Sequence, residues 1–203
     1  MRRKWVYLLL VIALTVWVAG CSKADTTTSS NTPGSSKGQD TSSDNAGGFR
    51  EYPVGDPQEV EGMEIAAVYF QPAAMEPEAQ AGLKPEEADI HLEADIRALK
   101  ENPNGFGFGE FIPYLTVHYE LKNLDTGEER KGTFMPMNAA DGPHYGANVK
   151  MLGAGKYRLK YIIESPVKQG LVLHSDSETG VEGRLWNKPI EVEWTFDYIP
   201  RKF

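Results

Sequence analysis

A methionine and a histidine stand seven residues apart in the run Met135-Pro136-Met137-Asn138-Ala139-Ala140-Asp141-Gly142-Pro143-His144-Tyr145-Gly146. Its Pro and Gly residues predict a turn that folds both side chains toward one point. Soft thioether sulfur with imidazole suits copper, above all Cu(I), better than magnesium or calcium. Met135 and Met137 have the same parity, so in an extended segment they share a face. Only one need be a ligand, with the other expected in the core.

A second candidate lies upstream. Residues 88 to 96, Ala-Asp-Ile-His-Leu-Glu-Ala-Asp-Ile, alternate strictly, which predicts a strand. Ile90, Leu92, Ala94 and Ile96 are expected to face a core. Asp89, His91, Glu93 and Asp95 then share the opposite, polar face. His91 and Glu93 are neighbours there by periodicity alone. Two further histidines carry less: His118 shares a strand face with Glu120 and reads as surface. His174 follows Leu171-Val172-Leu173 in an expected loop, with no ligand spacing of its own. Gly105, Gly107 and Gly109 do not have dinucleotide-binding spacing, and no helix follows them. Ser175 beside His174 forms no triad.

The elements that must position these residues are strands. Leu115, Val117, Tyr119 and Leu121 alternate with polar residues, as do Tyr157, Leu159, Tyr161 and Ile163, and Val192, Trp194, Phe196 and Tyr198. Glu64 to Phe70 and Arg130 to Phe134 are shorter candidates. Turn signals separate them at Asn102-Pro103-Asn104-Gly105, Asp125-Thr126-Gly127, Asp141-Gly142-Pro143 and Gly153-Ala154-Gly155. No long amphipathic helix is evident, and Pro85 to Ala88 supplies one turn at most. Short strands with one wet face each predict an all-β, immunoglobulin-like antiparallel β-sandwich with long loops.

Before this domain, residues 1–20 read as an export signal. Arg2, Arg3 and Lys4 precede an uncharged apolar run from Trp5 to Ala19. Val18-Ala19-Gly20-Cys21 resembles a bacterial lipobox, which implies cleavage before Cys21 and its lipidation. Cys21 is the only cysteine, so no internal disulfide and no thiolate ligand is available to the domain. Residues 21–48 are expected to be a flexible Ser/Thr/Gly linker with a reach of roughly 25–30 Å. Residues 49–203 then form one metal-binding domain, held outside the cytoplasm at the cell surface or in the periplasm by its lipid anchor. The net charge of −8 becomes −11 once the three cations of the signal are removed. That balance excludes nucleic acid and anionic lipid surfaces as expected partners.

Several blocks together resemble one family. They are Ala88 to Ile96, Asn102-Pro103-Asn104-Gly105-Phe106, Ile112-Pro113-Tyr114-Leu115, Gly132-Thr133-Phe134-Met135-Pro136-Met137 and Asp141 to Asn148. They resemble the bacterial periplasmic iron-transport-associated copper-binding proteins of the Campylobacter P19 and treponemal 34 kDa lipoprotein antigen type, from Glu51 to Tyr198. The resemblance implies an immunoglobulin-type sandwich that forms a homodimer, binds copper, sometimes with zinc or manganese in its place, and works beside a high-affinity iron permease. Matched residue by residue, it implies the ligands His91, Met137, His144 and His174, with Glu93 serving a second, shifted metal position. Arg97 stands where a histidine is expected in many relatives, a departure that bears on that second position.

The expected function is therefore that of a lipid-anchored accessory component of an iron uptake system, binding copper and also iron, zinc or manganese, and not an enzyme. The alternatives are a copper-dependent iron oxidase or reductase and a metal-independent surface adhesion module. Because imidazole binds metal only when neutral, affinity is expected to fall as pH drops past about 6.5.

Overall fold

Two antiparallel sheets account for nearly all the regular structure of the computed structural model, which describes residues 49–203 and the backbone of Ser43–Asp44. The expected signal, Cys21 and most of the linker lie outside the described residues. Among those described, no helix is long and apolar enough to cross a membrane.

In chain order the strands are β1 (Ser43–Asp44), β2 (Arg50–Pro53), β3 (Gln58–Val60), β4 (Met63–Phe70), β5 (Ile90–Ala98), β6 (Thr116–Asn123), β7 (Glu129–Thr133), β8 (Met135–Ala139), β9 (Gly142–Val149), β10 (Gly155–Glu164) and β11 (Ile190–Tyr198). The larger sheet runs β1-β2-β4-β5-β9-β8, with β3 also paired to β4; the smaller runs β11-β10-β6-β7. This is the immunoglobulin-like sandwich that the alternating segments predict. Three 3-10 turns, one of them Pro85–Glu87, are the helical elements among the described residues.

The core forms where the inward faces meet. Ile90, Leu92, Ala94 and Ile96 are fully buried, as are Tyr157, Leu159, Tyr161 and Ile163 of the opposite sheet. Each large apolar side chain removed from water stabilises the fold by about 1.5–3 kcal/mol, an upper estimate because unfolded chains already bury some surface. The Tyr161 hydroxyl crosses between the sheets and donates to the backbone carbonyl of Glu93 at 2.8 Å. The Tyr145 hydroxyl likewise donates to Ile112 O (2.8 Å) and accepts from Leu115 N–H (3.0 Å), which pins the loop before β6 to β9.

Three expectations are corrected here. The stretch from Met135 to Gly146 is not a turn but a hairpin, in which only Ala140 and Asp141 lie between β8 and β9. Pro136 is tolerated because β8 is the sheet edge, and Pro143 because it precedes the part of β9 that pairs with β5. The polar face of β5 is not wet: His91 and Glu93 are each 1% exposed, because the segment between β4 and β5 folds over them. Ser43–Asp44, expected as linker, pair with Glu51 and Arg50, since the edge of β2 offers unpaired backbone groups.

Tyr161→Phe removes the hydrogen bond that ties the two sheets together at the Glu93 carbonyl. Chemical denaturation should show a loss of about 0.5–1.5 kcal/mol, with the slope against denaturant unchanged.

Candidate metal centre

The register of three neighbouring strands assembles the site. On β5 and β9, His91 lies opposite Asn148 and Glu93 opposite Gly146. On β8 and β9, Met137 lies opposite His144 and Met135 opposite Gly146. Paired residues project to the same face, so His91, Glu93, His144, Asn148 and Met137 share one side of the larger sheet, away from the core. Gly146 sits at the centre of this group. A Cβ there would lie 2.7 Å from His91 Nε2 and 3.3 Å from His144 Cδ2. Glycine is required because the two imidazoles fill the space that a side chain would take.

His91, Glu93 and His144 each offer one donor atom, and these atoms all lie within 4.8 Å of one another. His144 Nε2 is 2.8 Å from Glu93 Oε1 and His91 Nε2 is 3.6 Å from the same oxygen. All three residues are buried. The sequence-level expectation put Glu93 at a shifted second position; the structure places it between the two histidines. Met137 is half-buried and lines the same cavity, of about 790 Å3, which is roofed by Phe49, Phe70 and the segment from Gln71 to Glu76.

The hydrogen bonds fix which ring atoms are free. Asn148 Nδ2 donates to the carbonyls of Ala73 and Leu83, both at 2.8 Å, and its Oδ1 accepts from Ala73 N–H at 3.0 Å. The amide orientation is thereby set by backbone groups. Oδ1 lies 2.9 Å from His91 Nδ1, so that nitrogen must carry the proton and Nε2 is left with a lone pair aimed at Glu93. In the same way, His144 Nδ1 faces the carbonyl of Gly142 at 3.3 Å, which makes its Nε2 the free donor. His144 Nε2 and Glu93 Oε1 meet each other at 2.8 Å, and the structure gives neither atom a further hydrogen-bond partner. A cation that accepts lone pairs from both imidazoles and the carboxylate would replace the proton shared there, so the donor set fits a metal ion.

Burial holds the His91 imidazole down to about 4, opposed by its Asn148 bond and reinforced by His144. It also raises the Glu93 carboxyl, against the pull of His144. At His144, burial disfavours the cation, but the Glu93 contact and the charges of Glu93 and Asp95 outweigh it, and the pKa rises. His91 is therefore a ready neutral ligand, whereas His144 and Glu93 hold a proton that a metal must displace.

The remaining candidates lie elsewhere. His174 is on the exposed stretch after β10, where its Nδ1 is 2.8 Å from Thr179 Oγ1. It is not among the residues lining this cavity, so one chain alone does not bring it to the cluster. His118 Nδ1 contacts Thr133 Oγ1 at 2.8 Å on the outer face of the smaller sheet, as a surface histidine would. Arg97 lies 3.6 Å from Asp95 and donates weakly to Pro143 O at 3.5 Å, which places a fixed positive charge beside the cluster. Asp89 pairs with Lys150 and accepts from Met151 N–H. Sequence reasoning missed Asn148 and Gly146 as site residues. Their shared parity with His144 becomes a signal once β9 is known to be a strand.

Asn148→Ala frees the His91 ring and unpins the covering segment. Metal affinity measured by calorimetry should fall 10–100-fold, the usual cost of losing the partner that orients a ligating imidazole.

Known proteins of this type share the architecture and the sequence. A family model described as Fe2+ transport protein matches residues 48–199. A UPF0423 protein of Brucella abortus is 52% identical over 153 residues, covering 73% of this chain and 82% of the relative. The 34 kDa membrane antigen of Treponema pallidum is 44% identical over 151 residues, with 73% and 74% covered. Among solved structures, a copper-bound variant of FetP from uropathogenic Escherichia coli is 56% identical with a TM-score of 0.72, covering 76% of this chain and 96% of that one. Copper-reconstituted P19 from Campylobacter jejuni is 55% identical with a TM-score of 0.70, covering 73% and 96%. The alternating strands, their register and these likenesses agree: the chain belongs to the Fe2+ transport protein family.

Proposed function

We propose that this protein binds copper outside the cytoplasm and serves an iron uptake system as an accessory component. The observation that carries the reading is the convergence of His91 Nε2, Glu93 Oε1 and His144 Nε2, buried on one sheet face with Met137 paired to His144. Two imidazoles suit Cu(II), the thioether suits Cu(I), and a carboxylate among them also admits iron, zinc or manganese. A bound ion would be held by His91, Glu93, His144 and Met137, and would supply charge and, as copper, a redox couple. The chain's own part is to keep His91 neutral, to fix both tautomers and to limit access by water.

The family match and the copper-bound relatives support the link to iron transport. The partner in this reading is a high-affinity iron permease of the adjacent membrane. The lipobox-like Val18-Ala19-Gly20-Cys21 supports a tether through acylated Cys21. A homodimer reconciles His174 with a ligand role, since an exposed histidine outside its own cavity is free to enter that of a second copy. The role assigned is binding, not turnover.

Copper titration of the metal-free protein at pH 7.5 should give tight binding at one ion per chain. Met137→Ala and His144→Ala should each weaken it at least tenfold, about 1.4 kcal/mol. Binding indifferent to both would refute the reading, as would iron redox turnover faster than that of the same amount of free copper.

The pH dependence follows from the cluster and differs from that of two ordinary histidines. His91 stays neutral down to about 4, so toward pH 6 the proton of the His144–Glu93 contact is the one that competes with the metal, and the raised His144 pKa makes that competition begin at higher pH than at an ordinary histidine. Copper affinity should fall on acidification, no more steeply than one decade per pH unit. Repeating the titration between pH 8 and pH 6 measures it.

A further inference from the structure

Five methionines follow the export signal, and their placement divides sharply. Met63 and Met151 are core residues, 1% and 6% exposed. The other three, Met75, Met135 and Met137, are all half-buried and all line a single cavity of about 260 Å3. Met135 and Met137 reach it because they are two residues apart on β8 and share a face. Met75 reaches it from the segment covering that face, which Asn148 clamps on either side through Ala73 and Leu83. Met75 and Met137 also line the larger cavity containing His91, Glu93 and His144, so the two spaces adjoin along these side chains.

Methionine usually fills gaps in a core. Gap-filling accounts for Met63 and Met151, and for the part of Met135 that packs on the core. It does not account for three half-exposed methionines gathered beside a nitrogen and oxygen donor cluster. No lysine or arginine lines this cavity, whereas the Glu76 carboxylate does, so a cation entering it meets no opposing charge from the lining. Thioethers are neutral, carry no proton to displace and favour soft monovalent ions over hard divalent ones.

We propose that Met75, Met135 and Met137 form a second site, selective for monovalent copper, which receives the ion and passes it through Met137 to the histidine and glutamate cluster. The division of labour is chemical. The thioether site screens for a soft cation, and the buried cluster then holds it. This inference rests on the copper reading for its physiological ion, but its test does not.

Silver(I) is the probe, as a redox-inert monovalent soft ion, with the protein labelled at the methionine methyl carbons. Silver should shift the methyl signals of Met75, Met135 and Met137 together and leave those of Met63 and Met151 in place. Met75→Leu and Met135→Leu, which keep side-chain volume, should each weaken silver binding at least tenfold while changing copper(II) affinity less than twofold. A shift confined to Met137, or silver affinity unaffected by both leucine variants, overturns the proposal. If the three signals shift but copper(II) does not bind to the cluster, the thioether site stands and the copper reading above is the one that fails.

Discussion

The pairing of β5 with β9 is the constraint on which the rest of the molecule depends. With His91 opposite Asn148 and Glu93 opposite Gly146, one face of the larger sheet carries the donors, and the other carries Ile90, Leu92, Ala94 and Ile96 into the core. Because strand side chains alternate with period two, a slip of one residue would turn the charged set inward and the apolar set outward. The hydrophobic core therefore enforces the register, and the register gathers His91, Glu93 and His144. Gly146 is the point where both demands meet, since the backbone must pair there while two imidazoles occupy the place of a side chain.

Burial is the second determinant. An ordinary surface strand would leave His91 and Glu93 in water, with ordinary protonation. Here the segment between β4 and β5 covers them, held by the three hydrogen bonds of Asn148 to Ala73 and Leu83. Taking a carboxylate and two imidazoles out of water favours their neutral forms, and their mutual contacts then redistribute the protons. The result is an asymmetric trio. Burial holds the His91 imidazole in its neutral form down to about 4, while the pKa values of His144 and Glu93 are both raised.

The sandwich itself does not dictate this chemistry, since the same architecture hosts many unrelated functions. The smaller sheet supports the site from behind: Tyr161, packed against Phe134 and Trp194, reaches across to the Glu93 backbone. That bond fixes the strand that carries Glu93 and leaves its carboxylate free for the cavity. The site is thus built from rigid strands on three sides and a tied-down loop on the fourth, an arrangement suited to holding ligands at set distances.

Much of this was legible in the residues. The strict alternation from Ala88 to Ile96 marked a strand with a correct inward face, because an antiparallel strand with one core-facing side writes its orientation into the sequence. The Met137–His144 spacing singled out two residues that the strand register does set opposite each other, and the matched blocks marked the family. What the residues did not reveal was that Met135–Ala139 and Gly142–Val149 are strands, because β9 is buried on both faces and β8 carries a proline at the sheet edge, so neither alternates cleanly. Nor did periodicity show that the polar face of β5 is buried, that Glu93 stands between the imidazoles or that His174 stands apart from them. Those facts depend on which segment lies over which strand. Local pattern determines where a side chain points along its own strand; only the folded chain decides what covers it, and the covering sets the electrostatics of the site.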